Sequence, residues 1–132
     1  MKKFLLSIFA LMLTAFSIQA QSTATLTFDD IAKRTEFDAN HQVWVENGIT
    51  VTNNKSASTN SVANYSKPVR FYQNSSIIVE CKSMTQIVFD CNNSTYATAL
   101  KNSIGSAATV SSDKVTVSLS SAEDSFTVEK LT

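Results

Sequence analysis

The chain has 132 residues, of which 11 are basic and 11 acidic, with one histidine and two cysteines. Its charges are balanced and form no Lys/Arg cluster, so the sequence predicts neither a nucleic-acid surface nor an anionic-membrane surface. This length is enough for one domain with a hydrophobic core and too short for two.

The first twenty residues, Met1–Ala20, have the pattern of a signal peptide. Lys2-Lys3 gives the positive start, and the apolar run Phe4–Phe16 is too short to span a bilayer. Ile18 and Ala20 would lie three and one residues before the cut, so we expect cleavage after Ala20. No cysteine follows the apolar run for lipid attachment, and we therefore expect release into the periplasm or outside the cell. An uncleaved anchor is the alternative. The mature domain would be 21–132, with nine basic against eleven acidic residues.

Ser75–Cys91 holds the strongest apolar and β-branched runs of the mature chain. Apolar and polar residues alternate from Ile77 and again from Ile87, which is the period of strands that bury one face. The pattern therefore predicts two core strands, joined as a hairpin through Lys82–Thr85.

Cys81 and Cys91 would be the only cysteines of the exported chain. In the predicted hairpin their thiols lie more than about 10 Å apart, beyond the reach of a disulfide. Two small buried thiols are the expected state. A disulfide is the alternative if the two strands belong to opposite sheets, since an oxidising compartment permits it.

Before this region, the sequence predicts a first strand at Ala24–Phe28 and an irregular connection with one helical turn starting at Asp30. Val43–Glu46 and Ile49–Thr52 flank Asn47-Gly48, a dipeptide that accepts both positive φ angles of a type I′ turn. A tight hairpin is expected there. The polar stretch 53–66 predicts a long surface loop with a short edge segment near Val62.

A further strand is expected at Val69–Tyr72, after Pro68. One short helix follows the core strands, capped by Asn93 or Ser94 and ended by Gly105. Closing strands are predicted at Val110, Val115–Leu119 and Phe126–Val128, separated by polar turns at Ser111–Lys114 and Ser120–Asp124. Eight or nine short strands with one short helix predict an all-β fold, an antiparallel β-sandwich or jelly roll.

Aromatic and polar side chains suggest a glycan site, in which rings stack on a sugar and amides bind its hydroxyls. The candidate ligand-binding residues are Trp44, Tyr65, Arg70 and Tyr72. Core packing is the alternative for Trp44, because a sandwich of this size usually buries its tryptophan. A surface ion pair, for example with Glu80, is the alternative for Arg70.

No residue pattern predicts catalysis, a metal site or a cofactor. His41 is the sole histidine and Asp38 precedes it, but abundant serines do not make an oriented triad. Asp29, Asp30 and Asn40 match the spacing of no calcium loop, so strand ends and caps are their expected roles.

Several stretches carry a resemblance to a known kind of module. They are Gln42-Val43-Trp44, Asn47–Lys55, Tyr65 with Pro68–Tyr72, Met84–Phe89 and Tyr96–Leu100. On these residues the sequence resembles an uncharacterised secreted all-β module of exported surface proteins from Gram-negative gut anaerobes. The resemblance implies one more strand after Phe126–Val128, whereas this chain stops at Thr132. Either the chain is truncated or it leaves a sheet edge open to a partner strand.

Two functions follow as hypotheses. The first is a secreted, non-catalytic module that binds a glycan by stacking and hydrogen bonding. The second is a structural or adhesive surface module that pairs with another surface protein through an open sheet edge. The sequence does not specify the ligand or the oligomeric state.

Overall fold

A computed structural model describes residues 5–13, 19–64 and 69–132, with side chains from Ser22 onwards within these ranges. The elements in chain order are β1 (Leu5–Leu13), β2 (Gln19–Thr27), a 3₁₀ turn (Ile31–Lys33), β3 (Arg34–Phe37), β4 (His41–Glu46), β5 (Ile49–Asn54), β6 (Ser76–Asp90), helix α1 (Ser94–Ile104), β7 (Ala108–Ser111) and β8 (Lys114–Val128). The predicted all-β class with one short helix is confirmed.

All strand pairings in this part of the chain are antiparallel. The strands run in the order β2-β1-β6-β5-β4-β3, and β8 pairs with both β6 and β7. Because hydrogen bonds connect all eight described strands into one sheet, the pairing does not separate them into two sheets. The sandwich or jelly roll stays a prediction.

The β4–β5 hairpin forms as the sequence predicts. Asn47 and Gly48 have φ angles of 53° and 79°, as a type I′ turn requires, and the ladder closes at the pair Glu46 and Ile49. The predicted helix is also confirmed. The Asn93 side chain accepts a hydrogen bond from the N–H of Tyr96, and Gly105 ends the helix with φ 97°.

β6 and β8 are each continuous for 15 residues where the sequence predicted turns. The hairpin at Lys82–Thr85 is therefore wrong, and so is the turn at Ser120–Asp124. β6 pairs with β8 along both halves, and the register shifts on either side of Met84. The extra residues are accommodated as β-bulges inside a continuous ladder.

The backbone at Ser83 explains why a bulge replaces the turn. Ser83 has a left-handed φ of 57°, and its N–H donates to the Asp124 Oδ1 atom of β8 at 2.8 Å. At the bulge, Met84 is buried, whereas the buried apolar residues of β6 on either side, such as Val79 and Ile87, are odd-numbered. A bulge and a turn both interrupt a period of two, so the sequence pattern did not distinguish them.

Three other segments differ from their predictions. Arg34–Phe37 was predicted to be part of an irregular connection, but it forms the strand β3. Three of its four residues are exposed, and it pairs only with β4. Val69–Tyr72 is not a strand, although Val69 and Phe71 are buried and the residues between and after them face outward. Near Val62 there is no strand either. Its N–H makes one backbone hydrogen bond, to the Ala39 carbonyl at 2.9 Å.

The core is formed by one face of the strands together with α1, which contributes Ala97 and Leu100. The largest fully buried side chains are Trp44, Leu26, Ile49, Ile77, Met84, Ile87, Leu131, Gln42 and Val79. Most of them come from β4, β5 and β6, so these three strands are the centre of the structure.

We expect the Gly48→Val variant to destabilise the chain by about 1–2 kcal/mol, the cost of a left-handed backbone for a residue with a Cβ. A Cβ at position 48 meets no atom within 4 Å, so the cost is in the backbone alone. Gly48→Asn should lose less, because asparagine tolerates this conformation. Urea denaturation of both variants measures the difference. Equal losses would contradict a backbone origin.

Candidate functional site

Trp44, the central residue of the predicted glycan site, is in the core. It has no exposed surface, and its ring meets Phe28 edge to face at 5.2 Å between centroids. The indole N–H donates to Gln42 Oε1 at 3.1 Å. Trp44 therefore presents no face on which a sugar could stack. A Trp44→Ala change would remove about 3–5 kcal/mol of packing, so it would not be a clean probe of binding.

The other predicted ligand residues lie on the segment that follows the long loop. Arg70 is exposed and Tyr72 is half-buried, whereas Val69 and Phe71 are buried. Tyr65 lies outside the described residues. The structure thus leaves Arg70 and Tyr72 accessible to solvent and encloses Trp44 in the core.

His41 lies between two carboxylates. Its Nε2 atom is 2.8 Å from Glu36 Oε2, and its Nδ1 atom is 3.2 Å from Asp38 Oδ2. The hydrogen bond with Glu36 raises the pKa of His41, with desolvation acting in the opposite direction. Asp38 also accepts the backbone N–H groups of Asn40 and His41, and the bond from Asn40 is the main cause of its lowered pKa. Both ring nitrogens of His41 thus contact carboxylates, and neither contacts a serine hydroxyl.

The other acidic residues near the first strands have structural partners. Asp29 is ion-paired with Lys33 at 2.6 Å, and Asp30 caps the 3₁₀ turn by accepting the N–H of Ala32. Among the described residues, no three His, Cys, Asp or Glu side chains are grouped so that they could hold a metal ion.

Cys81 and Cys91 are both free. Cys81 lies within β6 and is partly exposed, whereas Cys91 directly follows β6 and is buried. Burial raises the pKa of the Cys81 thiol. Both cysteines are therefore free thiols, as expected. They lie at the two ends of the second half of one continuous strand, and not on the two strands of a hairpin.

The two halves of β6 have different neighbours on the edge that faces away from β8. The first half, up to Glu80, pairs with β5, and the second half, from Met84 to Asp90, pairs with β1. β1 also pairs with β2 along its whole length. β1 therefore lies between β2 and the second half of β6, and it belongs to the stretch predicted to be a signal peptide. Sequence analysis missed this edge because it interpreted the apolar run only as a leader.

The end of β2 contacts β4 through side chains, although the two strands are not paired with each other in the sheet. The Thr27 N–H donates to Glu46 Oε1 at 2.8 Å, and the Lys33 ammonium donates to the Thr27 carbonyl at 3.2 Å. Lys33 also pairs with Glu46 Oε2 at 2.7 Å. Hydrogen bonding with Lys33 lowers the pKa values of Asp29 and Glu46, and hydrogen bonding with Asp29 raises that of Lys33.

Comparison with known proteins identifies no relative. No family model, no curated protein and no solved structure matches the chain. The resemblance to a surface module of gut anaerobes stays a prediction. In the part of the chain that the structure describes, no helix is long and apolar enough to cross a membrane.

We expect His41 to titrate above its ordinary pKa of 6.5. Its protonated form then stabilises the fold fully below pH 6.5, and this contribution is lost as the pH rises through the pKa of the folded state. NMR titration of the imidazole measures that pKa. Glu36→Gln should lower it, while Glu80→Gln, on a different exposed strand position, should not. A pKa at 6.5 or below, or the same shift in both variants, would contradict the proposed contact.

Proposed function

We propose that the chain is an exported, non-catalytic structural or adhesive module whose sheet takes up a strand from another surface protein. One observation carries the proposal. Among the described residues, only β1 pairs with the second half of β6 on the edge that faces away from β8. β1 lies inside the predicted signal peptide. We therefore propose that the open edge of the mature protein is this edge of β6, and not one left by a missing strand after Phe126–Val128.

Removal of residues 1–20 would leave a gap one strand wide. The backbone N–H and C=O groups of Met84–Asp90 that face β1 would lose their partners, and so would those of β2. Unpaired strand edges are templates for pairing with another chain. A strand that entered this gap would form a ladder on each of its sides, which is the basis of donor-strand complementation.

β2 is poorly placed to close the gap itself. β1 is antiparallel to both β2 and β6, so β2 and β6 are parallel to each other and would have to form a parallel ladder. Such a shift would also break the contacts of Thr27 with Glu46 and of Thr25 with the Asn47 side-chain amide, at 2.8 and 2.9 Å. These contacts hold β2 away from β6 and favour an open gap.

The acceptor edge defines the chemistry of the partner strand. The partner strand must run antiparallel to β6 and carry apolar residues opposite the buried Ile87 and Phe89. In the register of β1, Ile8 and Leu6 occupy these two positions. The other edges of the described sheet are β2, β3 and β7. β3 and β7 are only four residues long, and β2 is mostly polar, so none of them offers a long apolar strand. The partner we propose is therefore an apolar extended segment of another protein.

The test begins with the full chain, in which a protease recognition sequence replaces residues 14–18. After folding and cleavage, β1 is held only by non-covalent contacts. We expect a labelled peptide of residues 5–13 with lysine tags to displace the cleaved β1 segment. Native mass spectrometry should then show one peptide bound per chain. The same peptide with Ile8→Pro should bind at least about tenfold more weakly, since proline removes a ladder hydrogen bond.

Hydrogen exchange locates the edge. When the cleaved segment is removed, amide protection should fall in Met84–Asp90 and remain in Ser76–Glu80, which pairs with β5. Unchanged protection in Met84–Asp90, or equal binding of the proline peptide, would overturn the proposal.

Glycan binding is the second candidate function, and one observation favours it. Arg70 is exposed and Tyr72, two residues away, is half-buried, so a guanidinium and an aromatic ring are both accessible on this segment. Hydrogen bonding by an arginine and stacking on a tyrosine are suited to a sugar ring. Trp44 contributes to this candidate glycan site only by packing in the core, because it has no exposed surface.

A glycan array tests the second candidate with the Arg70→Ala and Tyr72→Ala variants. If glycan binding is real, both variants should lose at least about tenfold in affinity, the effect of removing one charged hydrogen bond or one stacked ring. Arg34→Ala is the matched control, because the Arg34 guanidinium already has partners in Phe37 and Asn64. Absence of binding to any glycan, or equal losses in all three variants, would exclude this function.

A further inference from the structure

The buried polar residues of the described chain lie at one end of the central strands. They are Gln42, Asn53, Ser58, Ser75 and Ser76. This end contains the start of β4, the end of β5 and the start of β6. The opposite end of the same face is apolar, so the core changes character along the strands.

The serine hydroxyls of this group are satisfied. The Ser75 hydroxyl donates to the Tyr72 carbonyl at 2.6 Å, and the Ser76 hydroxyl lies 3.0 Å from that of Ser56. Ser58 Oγ accepts a backbone N–H two residues further along the chain. These bonds follow the rule that buried polar groups have partners.

Two atoms break that rule. Gln42 Nε2 and Asn53 Oδ1 are buried and have no hydrogen-bond partner within the described residues. The residues are only 1% and 2% exposed, so bulk water does not solvate them. A buried donor and a buried acceptor without partners each cost free energy.

The two atoms are chemically complementary, one a donor and one an acceptor, and their residues are neighbours. Gln42 and Asn53 are directly opposite each other in the β4–β5 ladder, which places both side chains on the same face. The orientation of Gln42 is fixed by Trp44, because an indole N–H can only donate and so must face the amide oxygen. The amide nitrogen of Gln42 is thereby left to donate elsewhere.

We infer that one water molecule is bound between Gln42 Nε2 and Asn53 Oδ1. Water is the smallest group that accepts from one of these atoms and donates to the other, and buried waters usually satisfy such pairs. A cation would face the amide donor and an anion the amide oxygen, so neither suits the site. The water holds Gln42 in place and, through it, the Trp44 indole.

The site is a closed one. With both residues almost wholly buried, the water exchanges with solvent only when this end of the chain opens. It is therefore long-lived and separate from the strand-pairing edge of β6.

The test measures water contacts of the full chain by NMR. We expect cross-peaks between a long-lived water and the Gln42 side-chain amide protons, and their loss in Asn53→Leu, which keeps Gln42 but removes the acceptor. Absence of any water cross-peak would overturn the inference. So would a through-hydrogen-bond coupling from Gln42 Nε2 to the Asn53 carbonyl, since it would show that the two amides bind each other directly.

Stability measurements provide an independent readout. Asn53→Leu should lower the folding equilibrium constant about tenfold by stranding the water and the Gln42 amide. Gln42→Met should lower it further, because it also removes the acceptor of the Trp44 indole N–H. The double variant should lose less than the product of the two. Additive losses, or single variants as stable as the original chain, would overturn the inference as well.

Discussion

The bulged pairing of β6 with β8 is the constraint on which the rest of the structure depends. A left-handed Ser83, held by the Asp124 carboxylate, lets both strands continue while the register shifts around Met84. The shift keeps apolar residues of both halves of β8 on the core side, where Val117 pairs with Ile87 and Val128 pairs with Ile77. Along the other edge of β6, the two halves have different neighbours, β5 and β1. Val117 and Val128 lie an odd number of positions apart, so without the bulge one half of β8 would turn its apolar residues to solvent.

The features that could be predicted from sequence are those encoded within a few residues. Asn47-Gly48 specifies its own turn, and Asn93 and Gly105 specify the two ends of the helix, because each signal depends on local backbone conformation. The bulge at Ser83 could not be predicted in this way. Its acceptor, Asp124, is 41 residues further along the chain, so the signal is not local.

The same distinction applies to the candidate site. The outward placement of Arg70 and Tyr72 follows from alternation with Val69 and Phe71 and was visible in the sequence. The burial of Trp44 depends on Phe28, which belongs to a distant segment, and it was one of two open alternatives. β1 was hidden for another reason: an apolar run has the same composition whether it serves as a leader or as a strand.

The two proposals concern opposite kinds of unsatisfied polar group. At the β6 edge the groups belong to the backbone, and a whole strand is needed to pair them. Between β4 and β5 they belong to two side chains, and one small molecule is enough. The first arrangement suits assembly with another chain, and the second suits rigidity within this one.

The state of the two cysteines bears on how such a module would survive export. Burial raises the pKa of the Cys81 thiol, and Cys91 is enclosed by the core. Because the thiolate is the reactive form, both features disfavour disulfide exchange. An oxidising compartment would leave the fold without a covalent cross-link, and its persistence there would rest on packing and strand pairing alone.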